Sequence, residues 1–140
     1  MNKWRLCPNN YLCNKAIKNY KIFCDKCGKI ITEITIYPDG ENSENHRPTL
    51  KLSGSGWICS HTSYGFPKDT LLRIAKFTGE KRFEEVAQID YDAFGFFCRS
   101  CKKNYCADCW TSITPVFEDD GFYDYTWANC PVGHKQEIND

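Results

Sequence analysis

The residues with the clearest chemical potential are the ten cysteines and two of the three histidines, since thiolates and imidazoles are the usual protein ligands of zinc. They fall into six close pairs, and each pair is named below by its first residue. Two residues between thiolates form a tight turn that lets both sulfur atoms reach one tetrahedral ion at about 2.3 Å. Six pairs fill three sites with no ligand left over, so the sequence predicts three zinc ions. The twelve candidate ligands are Cys7, Cys13, Cys24, Cys27, Cys59, His61, Cys98, Cys101, Cys106, Cys109, Cys130 and His134.

Some of these residues have a second interpretation. Cys24-x-x-Cys27 alone is also a redox motif, although no βαβ pattern surrounds it. Cys7 and Cys13 have the widest spacing, and either could be a buried free thiol. His61 and His134 could be ordinary histidines, but their positions close to cysteines favour ligation.

The ligand count also bears on catalysis, because a catalytic zinc keeps one position open for water. Twelve ligands for three ions leave no open position, and His46 is the one histidine outside the pairs. The motifs of zinc deaminases, zinc proteases, serine hydrolases and phosphate-binding loops are absent. The sequence therefore predicts no catalytic residues and no organic cofactor.

Charge is unevenly distributed along a chain whose formal net charge is zero. Residues 1–31 contain seven Lys or Arg and a single acidic residue, Asp25. Ligation converts thiols to thiolates, which would bring the net charge of the zinc-bound chain to about −4. A nucleic-acid footprint would therefore have to lie in the N-terminal part, where a solvated basic face is the simpler interpretation.

No apolar stretch approaches the ~20 residues of a membrane span, and Met1–Cys7 contains no apolar signal region. Because disulfides do not persist in a reducing compartment, cysteine pairs there indicate metal sites. We expect a cytoplasmic protein, or a nuclear one in a eukaryote, that is neither secreted nor inserted in a membrane.

The elements that must position the ligands are short. Residues 29–37 and 49–52 are β-branched or alternating, and the polar segment 38–49 between them predicts a hairpin with an exposed loop. A helix is predicted from Asp69, as its N-cap, to Gly79, and one or two helical turns through Phe83, Val86 and Ala87. A short helix is also predicted over residues 107–113, before Pro115.

These elements predict a small zinc-stabilised α+β fold with short hairpins, one to three short helices and zinc sites of treble-clef or cross-brace type. Three segments are expected. Residues 1–37 form a four-cysteine zinc knuckle with its following strand, residues 38–56 a loop and return strand, and residues 57–140 a module with two zinc ions.

The grouping of the pairs is open from spacing alone. The Cys98 and Cys106 pairs are separated by four residues and could close one site together. Alternatively, the Cys59 and Cys106 pairs share one ion and the Cys98 and Cys130 pairs another. The Cys7 and Cys24 pairs then close a separate N-terminal site. The second grouping accounts for more of the chain, and we adopt it as the expectation.

Over residues 57–134, the four ligand pairs are separated by a long loop, a short link and a second loop. This order resembles that of the RING finger and its relatives, including the in-between-RING domain. Cys130-Pro131-Val132-Gly133-His134 looks like the Cys-Pro-x-Cys ending of RING fingers, with histidine as the closing ligand. The resemblance rests on spacing. It implies a cross-brace fold and an adaptor in ubiquitin-type transfer that forms no covalent intermediate.

Three functions are compatible with the sequence. The first is a protein-interaction module that presents aromatic and acidic residues, such as Phe117–Tyr123, to a partner with a basic surface. The second is the RING-like adaptor, a special case of the first. The third is binding of single-stranded nucleic acid through the basic N-terminal knuckle, with Tyr20 and Phe23 among the stacking aromatics. We favour the first.

Overall fold

The computed structural model of the chain describes residues 17–40, 46–54 and 62–139. Nine strands and two helices occur in these ranges. In chain order they are β1 (Lys18–Phe23), β2 (Ile30–Tyr37), β3 (Thr49–Ser53), β4 (Thr62–Gly65), α1 (Lys68–Gly79), α2 (Phe83–Ile89), β5 (Phe97–Cys98), β6 (Lys103–Asn104), β7 (Thr111–Phe117), β8 (Tyr123–Asn129) and β9 (Lys135–Asn139).

Strands β1 to β4 form an antiparallel sheet in sequential order, and its central hairpin is the one that the sequence predicts. Ile34 lies opposite Leu52 and Ile36 opposite Leu50, and all four are buried. Alternation of apolar and polar residues thus places one face of β2 and β3 in the core. The sheet draws strands from all three predicted segments, and the division of the chain at residues 37 and 57 stays a prediction.

Two of the three predicted helices are present. Leu71, Ile74 and Ala75 of α1 are buried, and the Tyr20 hydroxyl of β1 donates to the Ala75 carbonyl at 3.1 Å. The N-cap prediction is wrong. Pro67 occupies the cap position with no side-chain hydrogen bond, and Asp69 lies inside the first turn, where its charge favours the positive end of the helix dipole. None of the helices in the described ranges is long and apolar enough to cross a membrane.

The prediction of a helix over residues 107–113 is wrong. Residues 107–109 form a turn, and strand β7 begins at Thr111. The turn is closed by a hydrogen bond from the Cys109 N–H to the Cys106 carbonyl at 2.9 Å, and β-branched residues such as Thr111 and Ile113 then favour a strand. Strands β7, β8 and β9 form a three-stranded antiparallel sheet that packs on the core through Ala128 and Ile138.

Gly95 marks a close approach between two backbone segments. A Cβ atom built at this position would lie 2.0 Å from the carbonyl oxygen of Ile138 in β9. We expect Gly95→Ala to lower the free energy of unfolding by about 1–3 kcal/mol, because backbone atoms must shift. Gly65→Ala is the matched control, since nothing lies within 4 Å of its Cβ position. Chemical denaturation of the two variants measures the difference, and equal stabilities would contradict this packing.

Candidate metal centres

The first cluster is made of four cysteines from two distant parts of the chain, and their sulfur atoms all lie within 4.8 Å of one another. The Cys24 and Cys109 sulfurs are 3.6 Å apart, and those of Cys27 and Cys106 are 3.5 Å apart. Cys24 and Cys106 are buried, whereas Cys27 is exposed. The cluster therefore lies at the edge of the core, between the first hairpin and the segment before β7.

The Cys24 pair is held by the turn that joins β1 to β2. The Gly28 N–H donates to the Cys24 carbonyl at 3.0 Å, and the Cys24 N–H donates to the Lys29 carbonyl at 2.8 Å. Gly28 has a φ of 79°, a left-handed conformation that glycine adopts without steric cost. Glycine directly after the second cysteine thus lets the chain reverse while both thiols point to one side.

Two further contacts join the halves of the first cluster. Asp25 and Asn104 exchange two hydrogen bonds, from the Asp25 N–H to the Asn104 carbonyl at 2.8 Å and from the Asn104 N–H to Asp25 Oδ2 at 2.7 Å. Lys29 and Asp108 form an exposed ion pair at 3.1 Å, which contributes little energy. The Asp25–Asn104 pair therefore docks the first turn onto β6, two residues before Cys106.

The second cluster consists of Cys98, Cys101, Cys130 and His134. The Cys101 and Cys130 sulfurs are 3.6 Å apart, and His134 Nδ1 lies 3.2 Å from Cys101 Sγ and 3.4 Å from Cys130 Sγ. Cys98 and Cys130 are buried, and Cys101 is half-buried. The Nδ1 nitrogen of the imidazole is therefore the ring atom placed to act as a ligand.

The turns of the second cluster repeat the geometry of the first. The Lys102 N–H donates to the Cys98 carbonyl at 2.7 Å, as Gly28 does to Cys24, and Lys102 has a φ of 61°. Backbone N–H groups also face the sulfurs, from Cys101 to Cys98 Sγ and from His134 to Cys130 Sγ, each at 3.4 Å. Such contacts stabilise thiolates.

The donor atoms of each cluster fit a tetrahedral metal site better than a disulfide. Four sulfurs at about 2.3 Å from a central ion lie about 3.8 Å apart, close to the 3.5–3.6 Å observed. A disulfide would require about 2.05 Å. Each cluster offers four donors, all thiols in the first and three thiols with one imidazole in the second, which would leave no position for water, the pattern of a structural site.

A family model described as a domain of unknown function, DUF8328, matches residues 14–140. The chain belongs to this family. No curated protein and no solved structure shows significant similarity to it. The DUF8328 match includes all eight clustered ligands and begins after Cys13.

The structure brings eight of the twelve predicted ligands into two clusters, while Cys7, Cys13, Cys59 and His61 lie outside the described residues. The Cys98 and Cys130 pairs meet, as the adopted grouping predicts. The Cys106 pair lies beside the Cys24 pair, whereas that grouping predicts the Cys59 pair as its partner. His46 is exposed and belongs to neither cluster.

Two groups that support the clusters are not evident from the sequence. One is the Asp25–Asn104 pair described above. The other is Tyr105, which is buried and whose hydroxyl hydrogen-bonds the Cys101 sulfur. Burial, followed by this hydrogen bond, raises the pKa of Tyr105. Because Tyr105 directly precedes Cys106, it connects the two clusters. In the sequence, its position beside a ligand is the one feature that indicates this role.

The thiols differ in pKa even before a metal ion is considered. Burial raises the pKa of Cys98 to about 11 and also raises those of Cys106 and Cys109. Burial has the same tendency at Cys24 and Cys130, but backbone N–H groups outweigh it and lower each pKa to about 6. Each cluster thus contains one thiol that ionises below neutral pH and could receive the metal first.

Zinc binding is expected to release protons, because ligation requires thiolates. The raised pKa values keep Cys98, Cys106 and Cys109 protonated at pH 7. Loading both clusters should therefore release about three protons per chain or more. Since the bound form holds fewer protons, affinity rises with pH, by about tenfold per unit for each proton that is released.

A pH-indicator dye measures this release during a zinc titration of the metal-free chain. Further zinc added to the fully loaded chain is the control and should release none. Release of one proton or fewer would show that the thiols are not the ligands.

Proposed function

We propose that this chain is a structural-zinc protein-interaction module. The observation that carries the proposal is the order of the two ligand groups along the chain. The Cys24, Cys98, Cys106 and Cys130 pairs alternate between the first cluster and the second. An ion in each cluster would therefore tie together segments that are distant along the chain, and every coordination position would be filled by the protein.

Alternation of this kind is a cross-brace, the arrangement that the resemblance to RING fingers implies. It supports a RING-like adaptor as a second candidate function, with the Cys24 pair in place of the Cys59 pair. Trp110 is buried and is not available as a contact for a conjugating enzyme. Stimulated discharge of a ubiquitin-charged conjugating enzyme would favour this candidate, and no stimulation would leave the general interaction module.

A third zinc ion belongs to the proposal. Once the two clusters use eight ligands, the remaining candidates are Cys7, Cys13, Cys59 and His61, another set of three thiols and one imidazole. Native mass spectrometry tests this assignment. We expect three zinc ions per chain, and two for both Cys7→Ser and His61→Ala. Two ions in the unmodified chain would limit the protein to the described clusters.

The proposed interface is the hairpin of β7 and β8. Its turn carries Glu118, Asp119 and Asp120, and Phe117 and Phe122 beside them are 59% and 71% exposed. Residues 111–139 contain five carboxylates and a single Lys or Arg. Exposed aromatic side chains next to clustered negative charge suit a partner protein with a basic surface.

Binding of a fluorescently labelled lysine-rich peptide to the zinc-loaded chain tests this interface. We expect salt-dependent binding that weakens about tenfold when the three turn carboxylates are neutralised together (Glu118→Gln, Asp119→Asn, Asp120→Asn). The matched control neutralises three carboxylates on or directly after the helices (Asp69→Asn, Glu80→Gln, Glu84→Gln). Absence of binding, or equal losses in the two triple variants, would overturn the proposed interface. Preferential binding of single-stranded DNA would favour the nucleic-acid alternative.

A further inference from the structure

A second feature of the same sheet lies on the outer face of β8 and β9. Tyr125 and Trp127 are half-buried and flank Thr126, whose side chain is buried on the opposite face. Both aromatic residues line an open cleft together with Lys135 and Glu137. The cleft is therefore an aromatic surface with one positive and one negative side chain at its rim.

Lys135 occupies the aromatic surface. Its Nζ lies 3.7 Å from the centre of the Trp127 ring, well within the range of a cation–π interaction. It is also the single Lys or Arg in residues 111–139, a segment with five carboxylates. The one positive charge of this acidic region thus lies on the face of the tryptophan ring.

Negative charge is fixed beside the same ring. Glu137 is the register partner of Trp127 in β9, and its Oε2 accepts a hydrogen bond from the Tyr91 hydroxyl at 3.2 Å. A ring face next to a carboxylate that is held in place is the combination that attracts an ammonium or guanidinium group.

We propose that Trp127, Tyr125 and Glu137 form a recognition site for a lysine or arginine side chain of an extended basic segment in the partner protein. Lys135 is the intramolecular stand-in for that side chain. The inference rests on the proposed function, because it assigns a specific contact to the basic partner. Binding requires Lys135 to leave the ring, so Lys135 competes with the ligand.

An extended segment fits the spacing of the aromatic residues. Tyr125 and Trp127 are two positions apart on one strand, which separates them by about 6.8 Å. Alternate side chains of an extended peptide have the same spacing. A single strand of nucleic acid is disfavoured, because the five carboxylates of this segment would repel its phosphates.

Because Lys135 competes with the peptide, its removal should raise the affinity if the ring recognises the peptide, and should not raise it if Lys135 only supports the fold. Lys135→Gln is expected to tighten binding of the lysine-rich peptide by about threefold to tenfold, since it frees the ring and removes a repulsive charge. Trp127→Leu is expected to weaken binding about tenfold. Lys103→Gln, which removes an exposed lysine from β6, is the matched control for net charge and should change affinity less than twofold.

Lys135 directly follows His134 of the second cluster, so a substitution there could disturb metal binding. Unchanged zinc content in native mass spectrometry shows that each variant retains its clusters. If Trp127→Leu does not fold, Lys135→Gln alone decides. Weaker binding in Lys135→Gln, or a gain no larger than that of Lys103→Gln, would overturn the site. If the hairpin triple variant loses binding and Trp127→Leu binds as well as the unmodified chain, the site is overturned and the proposed interface stays intact. Self-association that involves Trp127 would identify a second copy of the chain as the occupant and overturn a separate partner.

Discussion

Replacing Cys98 by serine is expected to release one zinc ion and to leave the chain unfolded at 25 °C, so that heating produces no cooperative transition. Cys98 is fully buried in the second cluster, where its thiolate has no substitute. A structural zinc site contributes about 10–16 kcal/mol of apparent binding free energy, whereas a whole domain is stable by only about 5–15 kcal/mol. Loss of one ion is therefore enough to unfold the segments that it connects. Circular dichroism during heating, together with zinc content, measures the effect.

The control for this substitution is Ser100→Ala, which lies between the two cysteines of the same turn and is exposed. It should retain all bound zinc and lose no more than about 0.5 kcal/mol of stability. If Cys98→Ser instead keeps its zinc and melts within a few degrees of the unmodified chain, the second cluster does not hold a structural ion.

Trp110→Ala is expected to lower the free energy of unfolding by about 3–5 kcal/mol, the second large effect. Trp110 is 2% exposed, contacts the Tyr105 ring edge-to-face at 6.0 Å, and donates from Nε1 to the Tyr105 carbonyl at 3.1 Å. It follows Cys109 directly, so the cavity would open beside the first cluster. Urea denaturation of the zinc-loaded chain measures the loss.

Two further substitutions separate the contributions of Trp110. Trp110→Phe keeps most of the ring and removes the N–H, and should cost about 1–3 kcal/mol, because the buried Tyr105 carbonyl loses its partner. Phe122→Ala, at an exposed position of the hairpin turn, should change stability by no more than about 0.5 kcal/mol. A comparable loss at Phe122 and Trp110 would contradict the buried position of Trp110.

Local features of the fold could be predicted from the sequence because short-range geometry determines them. A Cys-x-x-Cys turn brings two thiols together whatever surrounds it, so the pairs are visible without a structure. The alternation around Ile34 and Leu50 likewise predicts the β2–β3 hairpin, and the 3.6-residue period predicts α1. These predictions are confirmed.

Long-range grouping could not be predicted from spacing. Cys27 and Cys106 are 79 residues apart, and what joins them is the docking of Asp25 onto Asn104. Apart from the Asp25 carboxylate, that contact is made by backbone groups, which carry no sequence pattern. The Cys59 pair offered equally plausible ligands, so spacing alone selected the wrong partner for the Cys106 pair.

The segment after Cys106 shows a local strand signal that the resemblance to a RING finger obscured. A helix over residues 107–113 suits the spacing of a RING finger, but the structure has a turn followed by β7. Asp120-Gly121 between two runs of β-branched and aromatic residues is a hairpin signal that would have predicted β7 and β8. Gly121 has a φ of 91°, consistent with that turn.

The central claim is that the Cys24 and Cys106 pairs share one zinc ion while the Cys98 and Cys130 pairs share another. The most direct test is native mass spectrometry of Cys27→Ser, Cys109→Ser and the double variant. Both single variants should lose the same ion, so the double variant should lose one ion and no more. A double variant that lacks two ions would contradict the shared first cluster and favour separate sites for the two pairs.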